Sequence, residues 1–132
     1  MLRRIAWSSV PSSSFSAARL GEIVGPARWS NKCNDVSGML LYTGVHFLEI
    51  LEGEESVLNE MWSRLVLDDR HASLVRIGNE ACNERRFADW KMAYADDQDV
   101  GSQVETLRYP TTPHASTWSD TTGSIMACAD SM

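Results

Sequence analysis

Apolar residues recur along this chain with two different periods, and each period predicts one type of element. Alternation at every second position is typical of a strand with one buried face, whereas recurrence at every third or fourth position is typical of an amphipathic helix. Residues 2–8 alternate, with Ile5 and Trp7 on one face, and therefore predict a first strand.

The serine-rich stretch 8–16 breaks this alternation and offers N-cap side chains for a helix over residues 17–24. Gly25 and Pro26 come next. They are expected to end or kink the helix, because proline has no amide hydrogen and its ring clashes with the preceding turn.

The clearest elements lie in the middle of the chain. Residues 38–53 hold two apolar runs separated by Thr43 and Gly44, which predicts a β-hairpin. Residues 54–67 predict a helix that opens on two glutamates, where negative charge complements the helix dipole. The apolar residues of this helix are expected on one face: Val57, Leu58, Met61, Trp62, Leu65 and Val66.

Two more strands are predicted over residues 74–81 and 88–94, the first of them after a polar loop at 67–73. The order βαββαββ predicts an α+β sandwich of the ferredoxin-like kind, with one sheet and two helices on one of its faces. Residues 97–132 are rich in Ser, Thr, Asp and Gly. We therefore expect one domain over residues 1–96 and a partly irregular C-terminal extension that packs on it or on a neighbouring molecule.

Charge and composition argue against several classes of function. A net charge of −6 over 132 residues, without a run of Lys and Arg, provides no positive field for a phosphate backbone, so we expect no nucleic-acid partner. No stretch approaches the ~20 apolar residues of a membrane span. The three cysteines are widely spaced, which fits reduced thiols in a cytoplasmic protein.

Motifs of enzymes are lacking from the sequence. The three histidines do not have the spacing of metal ligands, no glycine-rich loop precedes a helix, and the serines have no recognisable nucleophile context. We therefore expect neither catalytic residues nor a metal site.

One residue conflicts with its surroundings. Glu49 shares a strand face with Phe47 and Leu51, where an unpartnered buried carboxylate would cost several kcal/mol. Either the strand lies at an edge of the sheet, so that the side chain reaches solvent, or the fold uses this carboxylate.

Three segments in order resemble the BLUF family of flavin-binding blue-light sensors: WSNKCNDVSGMLLYTGVHFLEILEG, LDDRHASLV and ERRFADWKM. The resemblance extends from about Leu2 to Tyr94. It implies a photoreceptor domain for signal transduction that binds FAD, with FMN or another flavin as the alternative. It also implies that the isoalloxazine ring lies between the two helices beneath the sheet.

The resemblance implies cofactor-binding roles for individual residues. Asn31 falls where the family has an asparagine that hydrogen-bonds the flavin ring, and Phe47 matches an aromatic residue near that ring. Asp68, Arg70 and His71 fall in a loop that contacts the ring edge or the ribityl and phosphate arm.

Trp90 and Met92 match a Trp-x-Met pair that, by the same resemblance, couples the pocket to the outside of the domain. Two cofactor-binding positions depart from the family pattern. Trp7 stands where the family has a tyrosine and Glu49 where it has a glutamine, and these two residues run the family's photochemistry.

The substituted pair is chemically complementary. Indole offers one N–H donor and a carboxylate offers acceptors only, so Trp7 and Glu49 can replace the hydrogen bond of the tyrosine and glutamine. Burial is expected to raise the pKa of Glu49, and the protonated acid can then donate to the flavin. Our hypothesis is that light drives electron transfer from Trp7 to the flavin without the usual long-lived red-shifted state, while Glu49 handles the proton.

Structural roles remain open for the same residues. The tryptophans and Met92 fit half-buried strand positions, the loop residues fit a solvated turn, and Asn31 fits a helix cap.

The function predicted from the sequence is a flavin-binding light or redox sensor that forms a homo-oligomer and signals through an unidentified protein partner. The alternative is a degenerate BLUF-like oligomeric interaction module without flavin or photocycle, which the departures at positions 7 and 49 favour. A weaker alternative is a small enzyme on the same scaffold, such as an acyl-phosphate hydrolase, whose phosphate-binding loop is missing.

Overall fold

Seven elements follow one another in the computed structural model, which describes residues 1–11, 21–67, 71–87, 93–96 and 108. They are β1 (Leu2–Pro11), α1 (Gly21–Cys33), β2 (Ser37–Tyr42), β3 (Phe47–Glu54), α2 (Glu55–Leu65), β4 (His71–Ala81) and β5 (Ala93–Asp96). Their order is the one predicted from the hydrophobic pattern.

The strands form one five-stranded sheet in the order β4-β1-β3-β2-β5. Strand β3 pairs antiparallel with β1 and β2 on its two sides, and β5 adds to β2 in parallel. In this register Trp7 of β1 lies directly opposite Glu49 of β3. Because side chains alternate along each strand, the register also decides which residues share a face of the sheet.

Both helices cover the same face of the sheet. The core on that face consists of Ile5, Trp7, Val36, Leu40, Phe47, Leu51 and Leu58. Helix α1 packs Ala27 against this cluster, and α2 packs Val57, Met61, Trp62 and Leu65 against it. The ferredoxin-like α+β fold predicted from the sequence is therefore confirmed.

Two neighbouring strands, β1 and β4, extend further than predicted. Strand β1 continues to Pro11, and β4 begins at His71, so that part of the predicted polar loop is strand. The added residues pair with each other across the sheet, Val10 with Ala72 and Pro11 with His71. Strand pairing thus overrides the polar local composition, because strand preference depends on cross-strand neighbours.

The expected end of α1 at Gly25 and Pro26 is wrong. The helix runs on to Cys33 with Pro26 inside it, although an internal proline costs about 3 kcal/mol through a lost hydrogen bond and a steric clash. Packing of Ala27 on the core helps to offset that cost. As a result, Asn31 lies in the last turn of the helix rather than after its end.

The end of α2 differs from the prediction in a smaller way. The helix stops at Leu65, and Val66 is its C-cap residue with 56% of its surface exposed. Val66 therefore lies at the exposed end of the helix and does not belong to its buried face.

The predicted hairpin is present, with a connection over residues 43–46. The Thr43 amide donates to the carbonyl oxygen of His46 at 3.0 Å, and the His46 amide donates to Thr43 Oγ1 at 3.0 Å. Gly44 has a φ of 97°, a region that favours glycine. His46 is 8% exposed, so its place in this tight turn is structural.

Arg108 is the described residue of the C-terminal extension. It is 3% exposed, and its guanidinium donates to Ser8 Oγ at 2.8 Å and to the carbonyl oxygen of Ser73 at 2.5 Å. The extension therefore contacts the domain at this residue, while the rest of the range 97–132 lies outside the described residues. In the part of the chain that is described, no helix is both long and apolar enough to cross a membrane.

The packing between β2 and β3 leaves no room for a side chain at Gly38. A Cβ atom there would overlap the carbonyl oxygen of Ile50 and lie 2.7 Å from Cδ2 of Leu51, whereas at Gly25 nothing lies within 4 Å. We expect Gly38→Ala to lower the free energy of unfolding by about 1–3 kcal/mol or more. Gly25→Ala should raise it by up to ~1 kcal/mol, since glycine is a poor helix former. Urea unfolding measures both, and a Gly38→Ala variant as stable as the parent would contradict this packing.

Candidate functional site

A cavity of about 170 Å³ lies between the sheet and both helices. Its lining comes from β1, β3, α1 and α2: Trp7, Glu49, Ser30, Met61, Arg64 and Leu65. Complete small-molecule sites typically measure ~300–1,000 Å³. The described residues therefore enclose only part of a ligand as large as a flavin nucleotide.

Trp7 and Glu49 form the polar centre of this cavity. Trp7 and Glu49 are direct partners across the β1–β3 ladder, and the nearby indole N–H favours the charged form of the Glu49 carboxyl group. The Trp7 ring is 3% exposed and packs against Trp62, with 5.4 Å between ring centroids and 47° between the planes. Packing thus holds the indole ring, and the strand register places its N–H beside the carboxyl group.

The Arg76 guanidinium supports this aromatic pair from β4. Its carbon Cζ lies 5.3 Å from the centroid of the Trp62 ring, within the range of a cation–π contact. Arg76 is also the β4 partner of Trp7 across the sheet. The row Arg76, Trp7 and Glu49 therefore runs across three adjacent strands on the face covered by the helices.

Glu49 lies on the central strand β3, so the alternative of an edge position is wrong. Burial penalises the charged form and raises the pKa of Glu49 to about 7, and the hydrogen bond from Trp7 opposes part of this shift. Near neutral pH this carboxyl group can therefore hold or release a proton. It is a donor when protonated and an acceptor when ionised.

Asn31 and Phe47 lie close to the cavity without lining the part that is described. Asn31 follows the lining residue Ser30 on α1 and is 1% exposed. Its Oδ1 atom accepts no hydrogen bond from the described residues, although the residue is engaged in other interactions. Phe47 belongs to the core on the face of Glu49 and packs against Tyr42, with 5.2 Å between ring centroids.

The remaining predicted positions are not tested by these contacts. Asp68, Arg70, Trp90 and Met92 lie outside the described residues. His71 is placed by its backbone as the first residue of β4, and its side chain is not described. The roles implied for these residues stay predictions.

Four lining residues were not predicted as site residues. Met61 and Leu65 lie one helical turn apart on the predicted apolar face of α2. The sequence predicted this face, but it did not predict that the face borders a cavity. Ser30 and Arg64 carry no motif that indicates a site. The Arg64 side chain is 66% exposed and forms an ion pair with Glu60, which places it at the rim.

The lining is chemically suited to the flat ring of a flavin, which is apolar on its faces and polar along its edges. Met61 and Leu65 supply apolar surface, while Glu49, Ser30 and Arg64 supply polar groups. No cluster of potential metal ligands occurs among the described residues. The donor set therefore fits an organic ligand with hydrogen-bonding edges.

Comparison with known families gives one match over most of the chain. The family model named BLUF, described as sensors of blue-light using FAD, matches residues 2–93. The chain also resembles the solved structure of BlrB, a BLUF protein in its dark state, with a TM-score of 0.77 and 24% identity. That likeness covers 99% of this chain and 97% of BlrB, and it concerns the fold.

Two curated relatives have similar sequences. The photoactivated adenylate cyclase subunit alpha-like protein FB of Euglena gracilis is 31% identical over 113 residues, which is 82% of this chain and 11% of that protein. The blue light- and temperature-regulated antirepressor BluF of Escherichia coli is 32% identical over 78 residues, 59% of this chain and 19% of the relative. The chain thus spans a small part of the length of these relatives.

The raised pKa of Glu49 predicts how stability depends on pH. The folded pKa of about 7 exceeds the ordinary value of 4.5, so the folded protein binds this proton more tightly than the unfolded chain does. The contribution of Glu49 to stability is therefore present below about pH 4.5 and is lost as pH rises to about 7. Glutamine has no proton to release in this pH range. The free energy of unfolding of Glu49→Gln, relative to that of the parent, should therefore rise by about 1–3 kcal/mol between pH 4.5 and pH 7.

Urea unfolding at pH 4.5, 6 and 8 measures this difference. Glu84→Gln is the control, because it neutralises a carboxylate in an exposed loop position. A difference between Glu49→Gln and the parent that does not change with pH would contradict the raised pKa.

Proposed function

The chain belongs to the BLUF family, the sensors of blue light that use FAD, and we propose that it is a flavin-binding light or redox sensor with atypical photochemistry. The atypical part of the proposal rests on Trp7 and Glu49, which replace the family's tyrosine and glutamine. The observation that carries it is their direct cross-strand pairing, which places both residues in the lining of one cavity between the sheet and both helices.

In this proposal the flavin ring is held by Trp7, Asn31, Phe47 and Glu49. The loop residues Asp68, Arg70 and His71 bind the ring edge or the ribityl and phosphate arm. A bound flavin supplies a ring that absorbs blue light and accepts electrons.

Trp7 and Glu49 divide the chemistry of the chain between them. Trp7 contributes an oxidisable indole that packing on Trp62 holds in place. Glu49 holds a proton on its carboxyl group below a pH of about 7 and accepts one above it. A carboxyl group has no NH₂ end that can exchange places with its carbonyl oxygen, so the reorganisation of a glutamine amide has no counterpart here.

Signalling in this proposal passes to a separate partner protein in the cytoplasm through Trp90 and Met92, and the chain acts as a homo-oligomer. The names of two relatives point to output through other activities, an adenylate cyclase in one and an antirepressor in the other. These names describe proteins much longer than the matched segment, so we assign neither activity to this chain. The proposal contains no enzymatic step, and no nucleic-acid or membrane contact.

A second candidate is a degenerate interaction module that has lost flavin or the photocycle. The observation in its favour is the change of both central residues, at positions 7 and 49. Measurements of flavin binding and of the response to light distinguish the two candidates, because only the sensor is expected to show both.

Absorption spectra before and after blue light test the proposal directly. We expect the parent to take up FAD on reconstitution and to show no long-lived red-shifted state. Trp7→Tyr combined with Glu49→Gln restores the family's pair and should give a reversible red shift. Trp29→Tyr combined with Glu84→Gln is the matched control, because Trp29 is 67% exposed and Glu84 is exposed as well.

Two results would contradict this proposal. A parent that takes up neither FAD nor FMN would favour the interaction module. A reversible red shift in the parent would show that a carboxyl group at position 49 supports the usual photochemistry, and the atypical mechanism would be wrong.

Light scattering tests the predicted assembly. Because the proposed output depends on association, we expect a homo-oligomer in the dark, in the light or in both. A monomer at high concentration under both conditions would remove self-association from the proposal.

A further inference from the structure

A second carboxylate of β3 is buried on the face of the sheet opposite the cavity. Glu52 is 0% exposed. Arg4 of β1 donates a hydrogen bond from Nε to its Oε2 at 2.9 Å, and Arg4 Nη2 forms an ion pair with the same oxygen at 2.8 Å. The backbone amide of Arg86 donates to Oε2 at 2.9 Å, and that of Phe87 donates to Oε1 at 2.7 Å. One buried carboxylate therefore joins β1, β3 and the loop that follows β4.

The loop is also tied to the backbone around Glu52. The Arg85 guanidinium donates to Ser37 Oγ at 3.0 Å, to the Glu52 carbonyl oxygen at 3.2 Å and to the Asp35 carbonyl oxygen at 2.7 Å. Phe87 is 1% exposed, so the end of the loop is also anchored by its side chain. The path of the chain is thus fixed up to residue 87.

The next described residue along the chain is Ala93, which pairs with Met39 of β2. The chain is therefore held at two points that flank residues 88–92 in the sequence, at Phe87 by Glu52 and at Ala93 by the β2–β5 ladder. This segment contains Trp90 and Met92.

We propose that Glu52 is a positioning residue, whose carboxylate sets where the loop after β4 ends at Phe87, the point from which the chain continues to residues 88–92. Because β3 also carries Glu49, this strand holds the cavity on one face and the end of that loop on the other. A role of Glu52 in signalling rests on the proposed function, because Trp90 and Met92 are signalling residues only in that proposal. The positioning itself involves neither flavin nor light.

Glu80 offers a matched control within the same network. It accepts a hydrogen bond from Nη1 of Arg4 at 3.0 Å, and its side chain is 35% exposed. No bond between the Glu80 side chain and the loop amides occurs among the described residues. Glu80→Gln therefore disturbs Arg4 and leaves the bonds from Arg86 and Phe87 to Glu52 in place.

Hydrogen–deuterium exchange of the full chain in the dark tests the proposal. Glu52→Gln preserves shape but removes the charge and one acceptor oxygen, so exchange of the Arg86 and Phe87 amides should become about tenfold faster or more. Exchange over residues 88–92 should become faster as well. Glu80→Gln should leave both regions within about twofold of the parent, because the Glu80 carboxylate accepts its bond from Arg4 and not from the loop amides.

The fluorescence of Trp90 gives a readout that a loss of stability alone would not move. Subtracting the emission spectrum of each variant's Trp90→Phe version isolates the emission of Trp90. The spectra are recorded under conditions in which the chains are fully folded. We expect a shifted emission maximum in Glu52→Gln and an unchanged one in Glu80→Gln. If the single variant does not fold, Arg4→Met with Glu52→Gln removes both charges and leaves no unpaired buried cation.

The proposal is overturned if the amides of residues 86 and 87 exchange faster while residues 88–92 and the Trp90 emission stay unchanged. Equal effects of Glu80→Gln would overturn it too, because the Arg4 network rather than the loop anchor would then be responsible. A parent chain that takes up no FAD would defeat the proposed function, and the positioning role would still be decided by exchange and fluorescence.

Discussion

The site depends on one constraint, the burial of a carboxyl group on the central strand of the sheet. Strand β3 is flanked on both sides, so the Glu49 side chain cannot escape over an edge and must face the cavity beneath the helices. The indole N–H of Trp7 is the compensation supplied by the neighbouring strand, and it is incomplete, because the pKa of Glu49 remains raised to about 7. A carboxyl group in this state can change its protonation near neutral pH.

Strand β3 carries two glutamates in different environments, Glu52 fully buried and Glu49 half-buried. Glu52 meets a guanidinium and two backbone amides, which matches a full negative charge with charge-assisted hydrogen bonds. Glu49 faces a cavity and receives its hydrogen bond from a neutral indole. The difference in donors suits Glu52 to an anchoring role and Glu49 to proton exchange.

The chain has the scaffold of its family, and the proposed departure from the family pattern concerns the central pair, Trp7 and Glu49. The order of elements, both helices on one face and the cavity between them agree with the family to which the chain belongs. A tyrosine and glutamine pair can exchange a hydrogen bond by reorganising an amide, whereas an indole and a carboxyl group can only move a proton on the acid. In the proposed function, these two residues give the family's scaffold a different chemistry.

The sequence by itself determined the seven elements, the hairpin at Thr43 and Gly44, the family, and the conflict at Glu49. These follow from periodicity, turn chemistry and motifs, which are local properties of the chain. Predictions from local sequence were wrong where contacts between distant residues opposed them. Helix α1 continues through Pro26, and β1 and β4 extend to the pair Val10 and Ala72.

Only the tertiary structure decided that Ser30 and Arg64 reach the cavity, and that Glu52 holds the loop at residues 86 and 87. Each of these contacts joins residues far apart in the chain. Strand register and helix packing bring them together, and neither leaves a periodic signal in the sequence, because a contact between distant residues depends on the position of every element between them.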